Sequence, residues 1–314
     1  MRNHDTRGTF KKSRADDASE ATLLATFDQY RSLLFSIAYR MLGSVADAED
    51  MLQETFLRWQ QVPEDSIRSP RALLVTIISR LCINQLESTR SKREQYIGQW
   101  LPEPIVTEPG SNPLDLLDLD ESVSMAFLVM LERLTAVERA VFLLREVFEY
   151  EYAEIAQIVG QSEANCRQIL HRARQRVGTA RPRFSPPEPK HNELLERFLE
   201  ATTTGDMKGL IELLADDVVL QSDGGGKAVA VPNVISGVDR VGRGILGGLE
   251  KLVPKNLVRR MAQINGEPGI INYLDGRPYA VISLNISEGR IHSIYIITNP
   301  EKLSHLPDLT VSPD

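Results

Sequence analysis

The chain has 314 residues, 42% apolar and 25% charged, with a net charge of −7. That composition fits a water-soluble protein of two or three domains and excludes a generic polyanion binder, so any nucleic-acid contact has to be local. Cys82 and Cys166 are far apart and have no neighbouring histidines. This excludes a disulfide framework and a zinc site and fits a reducing cytoplasm; no metal or cofactor is expected.

Residues 1–20 lack an apolar h-region and read as a flexible polar tail, not a secretory signal. No apolar run approaches the ~18 residues that span a bilayer. Residues 21–97 form a helical block. Phe27, Tyr30, Leu34, Ile37 and Met41 share one helix face, and Gly43 ends that helix. Ser44, with Asp47 three residues on, has capping-box spacing and opens a second helix that buries Ala48, Leu52, Phe56 and Trp59. Asp47, Asp50 and Glu54 form an acidic face on it, with Gln53 at the edge; alone, this is a solvated surface. A third helix starts near Pro70. It carries Arg80, Asn84, Gln85 and Ser88 at helical spacing, then a basic end of Arg90, Lys92 and Arg93.

Residues 98–125 change character. "QWLPEPIVTEPGSNPLD" cannot continue a helix and reads as an extended linker, in which Trp100 and Leu101 are unusually apolar. Helices resume over 126–183, with a capping box at Thr135 and Glu138. Gly160 ends one helix and Ser162 caps the next after a short turn. Cys166, Ile169, Leu170, Ala173 and Val177 make its buried stripe. Ala164, Asn165, Gln168, His171 and Arg172 face the other way, flanked by Arg167 and Arg174. Six arginines against one glutamate between Ser162 and Arg183 give a local cationic face. Small and amide side chains near the helix N-terminus suit base edges, and arginines suit phosphate, so the pattern predicts a DNA-binding helix-turn-helix.

After a second joint, "RPRFSPPEPK", residues 191–306 turn α+β. Two helices precede strand-like runs "DVVLQS", "KAVAVP", "LVRRMAQI", "GIINYL", "PYAVISLNI" and "IHSIYII". One helix, "GVDRVGRGILGGLEKL", interrupts them. Asp275-Gly276 and Glu288-Gly289 are hairpin turns. A curved antiparallel sheet with helices at one end predicts a small cone. "DGGGK" is not a Walker loop: Ala228 follows Lys227 where Ser or Thr is required. Bare glycine backbone permits close approach, so Asp223, Gly224, Gly225, Gly226 and Lys227 read as a surface that receives the linker, with Trp100 and Leu101 buried there. Asp216, Asp217, Asp223 and His292 are the candidates for acid–base chemistry in the cone, with ordinary strand-end polar residues as the favoured reading.

"DAEDMLQETFLRW", "SRLCINQLESTRSKRE" and "LTAVERAVFLLREVFEYEYAEIAQIVGQSEANCRQILHRARQRV" occur in this order. They resemble regions 2 and 4 of extracytoplasmic-function sigma factors of bacterial RNA polymerase. "WLPEP", "DGGGK" and "NPEKL" resemble the signature of the subgroup with a fused SnoaL-like domain of NTF2-like fold. The resemblance implies a multidomain, non-enzymatic, cytoplasmic protein: two all-α modules, then an α+β NTF2-like cone. It implies that Asp47, Asp50, Gln53 and Glu54 dock on core RNA polymerase, whose clamp and flap are the expected partner surfaces. It implies that the polar set from Arg80 to Arg93 reads the −10 element of promoter DNA and the set from Ser162 to Arg174 the −35 element. Trp100, Leu101, Pro102, Glu103 and Pro104, with residues 223–227 and Asn299, Pro300, Glu301, Lys302 and Leu303, would regulate in cis, in place of a separate anti-sigma protein. A small effector in the cone stays open. The alternatives are a stand-alone helix-turn-helix regulator and an isomerase activity in the cone.

Overall fold

A computed structural model describes residues 7–107, 123–178 and 189–309, without the side chains of 7–22, 64, 90–94, 189–190, 249–250 and 252. The first module is three helices, α1 (Arg7–Leu42), α2 (Val45–Gln60) and α3 (Pro70–Glu94). Residues 7–20 are helical backbone, where helix formers such as Lys11, Lys12, Arg14 and Ala15 continue α1 backwards. Phe27, Leu34, Ile37 and Met41 of α1 are buried with Ala48, Leu52 and Trp59 of α2.

The second module holds α4 (Met125–Leu131), α5 (Ala136–Glu146), α6 (Tyr152–Val159) and α7 (Glu163–Val177). Thr135 and Glu138 form the capping box at α5 reciprocally. Gly160 ends α6 in the left-handed region at φ 68°, and Ser162 caps α7 through the Asn165 N–H. The buried residues of α7 are Cys166, Ile169, Leu170, Ala173 and Val177. The two modules pack on each other around one continuous apolar core, from Phe27 of α1 to Val177 of α7.

The C-terminal block has the build expected of a cone. Helices α8 (Pro189–Thr204), α9 (Met207–Leu213) and α10 (Val238–Leu252) lie on one face of a curved sheet. Its strands are β1 (Val106–Thr107), β2 (Leu214–Asp223), β3 (Ile235–Ser236), β4 (Val258–Ile264), β5 (Glu267–Leu274), β6 (Arg277–Ser287) and β7 (Arg290–Ile297), in the order β1-β4-β5-β6-β7-β2-β3. Every pair is antiparallel except β2 with β7, a departure from the fully antiparallel sheet expected. "KAVAVP" is not a strand: Lys227 and Ala228 turn back on Gly224, and the Val231 N–H donates to Ser222 Oγ at 2.6 Å, tying the segment down as a loop. The turns at Asp275-Gly276 and Glu288-Gly289 have the positive φ of two-residue hairpins, and so does Asn265-Gly266 between β4 and β5.

The other face of the sheet is covered by the rest of the chain. β1 belongs to the linker and pairs with the end of β4. Leu101 of the linker, Met125 of α4 and Leu303 of the short α11 (Pro300–Leu303) bury against Ile271, Tyr273, Val281 and Tyr295.

Candidate functional site: two polar helices, an acidic ridge and a buried joint

The outer face of α7 carries exposed Ala164, Gln168, His171 and Arg172, with Asn165 half-buried beside Gln161. Arg167 pairs with Glu163 at 3.0 Å and lies over the Tyr152 ring. Arg174 reaches Glu146 on α5 at 2.5 Å. The helix therefore presents an amide-rich start and a cationic flank, with Arg172 between them.

On α2, Asp50 and Gln53 are exposed, while Glu54 pairs with Arg58 at 2.8 Å. Asp47 is half-buried and accepts a bond from Gln85 of α3 at 3.5 Å. Next to this ridge, a groove of about 340 Å³ opens between α1 and α2, lined by Leu24, Phe27, Asp28, Arg31, Glu49, Leu52, Gln53, Phe56 and Leu57. Leu24 and Leu57 remain about half exposed there (47% and 53%).

Arg80, Gln85 and Ser88 of α3 have intramolecular partners. Arg80 donates through Nε to the Ile158 carbonyl and through Nη2 to that of Gln157, both at 2.8 Å, and so caps the C-terminal end of α6. Asn84 is exposed, and Ser88 donates to the Gln85 carbonyl. The side chains of Arg90, Lys92 and Arg93 lie outside the described residues.

The three distant motifs meet in one buried joint. Asp223 has no exposure. Its Oδ1 accepts from the Tyr96 hydroxyl at 2.6 Å and the Gly225 N–H at 2.9 Å; its Oδ2 accepts from the Leu101 N–H at 2.8 Å and Lys302 Nζ at 2.7 Å. Lys302 also donates to the Leu101 carbonyl, and its ammonium lies 4.0 Å from the centre of the Trp100 ring. Asn299 caps α11 and donates to Tyr96 Oη at 2.9 Å. Pro300 occupies the first turn of α11, and Glu301 pairs with Lys227 at the rim. Burial, and then the neighbouring Asp223 carboxylate, push the Tyr96 hydroxyl well above its usual pKa.

The glycines do receive protein, but not Trp100. A Cβ on Gly225 would stand 2.4 Å from Asn299 Nδ2, and one on Gly226 3.1 Å from Ile97. Trp100 turns the other way, and a Cβ on Gly43 would meet its ring at 2.6 Å. Trp100 thus sits between the α1–α2 turn and the Lys302 ammonium, because the cation attracts the ring face while glycine leaves room behind it. Leu101 is the fully buried member of the pair.

A second set of contacts joins region 2, linker and cone. Glu103 accepts the Val45 N–H at 2.6 Å and the Ser44 hydroxyl at 3.0 Å. Of the capping box expected at Ser44, the half in which Ser44 Oγ accepts the Asp47 N–H is formed, and Glu103 covers a different amide, that of Val45. Tyr39 donates to the Glu103 carbonyl at 2.6 Å and accepts from Asn265 Nδ2 at 2.7 Å. Asn265 is absent from the residues singled out by sequence; the Asn-Gly pair signals a turn, and nothing local signals its reach to Tyr39.

The acid–base candidates of the cone are not brought together. Asp216 is exposed, Asp217 is 85% exposed and lies 3.5 Å from His292, and Asp223 is engaged in the joint. Glu267, not among the sequence candidates, pairs in register with Ile264 and has Oε2 buried and unpartnered, and burial pushes its carboxyl up to about 7. No helix among the described residues is long and apolar enough to cross a membrane.

Residues 26–92 match the Sigma-70 region 2 family and residues 124–177 match Sigma-70 region 4. The chain is 37% identical over 296 residues to the ECF RNA polymerase sigma factor SigJ of Mycobacterium tuberculosis, covering 90% of this chain and 94% of that protein. It is 34% identical over 285 residues to the probable ECF RNA polymerase sigma factor SigI of the same species, covering 90% and 95%. The crystal structure of SigJ superposes with a TM-score of 0.74 at 35% identity, over 90% of this chain and 98% of that one. The paired helical modules, the joined cone and this near full-length likeness place the chain in the family of ECF RNA polymerase sigma factors.

Proposed function

We propose that this sigma factor binds core RNA polymerase through the exposed ridge of Asp50 and Gln53, with Asp47 and Glu54 at its ends and the α1–α2 groove beside it. Acidic side chains around an apolar groove suit a basic, amphipathic partner helix, where charge sets register and speeds encounter. Gln168, Asn165 and Ala164 read −35 base edges, while Arg167, Arg172 and Arg174, with Ser162 and His171, hold phosphate and flank the groove. Arg80, Asn84, Gln85 and Ser88, continued by Arg90, Lys92 and Arg93, face the −10 element.

The observation that carries the regulatory half is the buried pair of Asp223 and Lys302 closing on Leu101. It ties the cone to the segment between the two DNA-reading modules. Seating of the cone and spacing of those modules are then one equilibrium. The cone acts in cis with no dedicated anti-sigma protein and no chemistry of its own, and the protein works in the cytoplasm. A small effector that favours one seating of the cone fits the same scheme.

Reconstitution with core polymerase and a matching promoter tests this. The chain should form a complex and support a transcript, and Asp50→Lys with Glu54→Lys should abolish the complex. Duplex binding without polymerase, unaffected by those reversals, would instead favour a stand-alone DNA-binding regulator.

A further inference from the structure

Residues 101–105 belong to no helix or strand, with Leu101, Pro102 and Pro104 buried and Glu103 and Ile105 half-buried, so their backbone groups need partners one by one. Pro102 and Pro104 remove two donors outright. Asp223 and Lys302 take the N–H and carbonyl of Leu101. Gly43 and Tyr39 take those of Glu103, and Asn265 takes both those of Ile105. The Glu103 side chain turns to region 2 and caps the N-terminus of α2, where a carboxylate also meets the positive end of the helix dipole. One turn further on, Asp50 and Gln53 remain exposed. The described part of the linker meets α2 at its first turn, through Glu103.

We infer that Glu103 is a positioning residue for the polymerase-docking helix, and that Asn265 makes its cap depend on the cone being seated. This rests on the reading of α2 as the docking helix. The path is short and direct: Asn265 Nδ2 to Tyr39 Oη at 2.7 Å, then the Tyr39 hydroxyl to the Glu103 carbonyl at 2.6 Å. Asn265 is 1% exposed, and its amide is held at both ends, Nδ2 donating to Tyr39 Oη and Oδ1 accepting from the Ile105 N–H. When the cone leaves, Tyr39 and Ile105 lose these partners, Glu103 loses its fixed backbone, and the first turn of α2 frays. A seated cone therefore strengthens polymerase binding through α2.

The test uses the full chain, with two readouts: affinity for core polymerase, and hydrogen exchange at the Val45, Ala46 and Asp47 amides. Glu103→Ala should speed that exchange and weaken binding by about three- to fivefold. Tyr39→Phe and Asn265→Ala should act in the same direction with smaller size. Glu103→Ala combined with Asn265→Ala should bind no worse than Glu103→Ala alone. Glu103→Gln keeps an acceptor without the charge, should fall between, and replaces the alanine variant if that one does not fold. Unchanged exchange, additive losses or tighter binding, with Asp50→Lys still weakening the complex, overturn the inference alone. If Asp50→Lys binds as well as the unaltered chain, the docking reading falls and the inference falls with it.

Discussion

Asp223 collects four donors on one buried carboxylate, from Tyr96, Gly225, Leu101 and Lys302. Breaking a buried ion pair from one side leaves an uncompensated charge. Lys302→Met should therefore destabilise the chain by about 3 kcal/mol, the low end for such pairs because three neutral donors remain. The loss should shrink when Asp223→Asn is added, and urea denaturation of both variants measures it. Glu267 behaves differently. Its folded carboxyl is raised to about 7 from 4.5 by desolvation, so the folded state holds the proton more tightly than the unfolded chain. The stability it contributes is present in full below pH 4.5 and is lost as pH rises through about 7. The unfolding midpoint of the unaltered chain should drop across that window, and Glu267→Gln should flatten the drop.

At the scale of the element, the glycine turn and the recognition helix each make a distinct forecast. Gly225 combines a φ of 59° with a neighbour, Asn299, that is itself bonded to Tyr96. Gly276 has a φ of 79° and open space around it. Gly276→Ala should cost about 1 kcal/mol from backbone strain alone and Gly225→Ala clearly more, by thermal unfolding. On α7, Arg172 is exposed, whereas Arg174 must first leave Glu146. Arg172→Ala should weaken promoter binding at every sequence and lower the salt slope by about one, read from a salt titration of binding. The stripe from Cys166 to Val177 and the cap at Ser162 were legible because period and cap chemistry are local properties. "KAVAVP" misled for the opposite reason. Its composition suits a strand, yet pairing is decided by whether a neighbouring edge is free.

Across the whole molecule, one apolar core joins regions 2 and 4, and the cone's sheet is closed by linker and α4. Arg80 spends its guanidinium on the carbonyls of α6, so in this arrangement it cannot reach DNA. Under the −10 role proposed for Arg80, promoter engagement requires the modules to part. Trp100 reports on the joint, packed against Gly43 and Lys302, while Trp59 is fully buried in the helical core. Acrylamide quenching of tryptophan fluorescence should be weak in the free chain. It should rise in the Asp223→Ala variant, and the rise should vanish when Trp100→Phe is added.

The sequence by itself determined the cores of the helices, the caps at Thr135 and Ser162, the order of the two modules and the three motifs that meet in the joint, because these depend on residue spacing and short-range backbone chemistry. The pairing of Asn265 with Tyr39, the cap that Glu103 places on α2, and the capture of Arg80 by α6 were decided only by the tertiary structure. Such bonds link groups up to 226 residues apart. They form where burial forces each polar group to find a partner, and no local pattern records which partner that is.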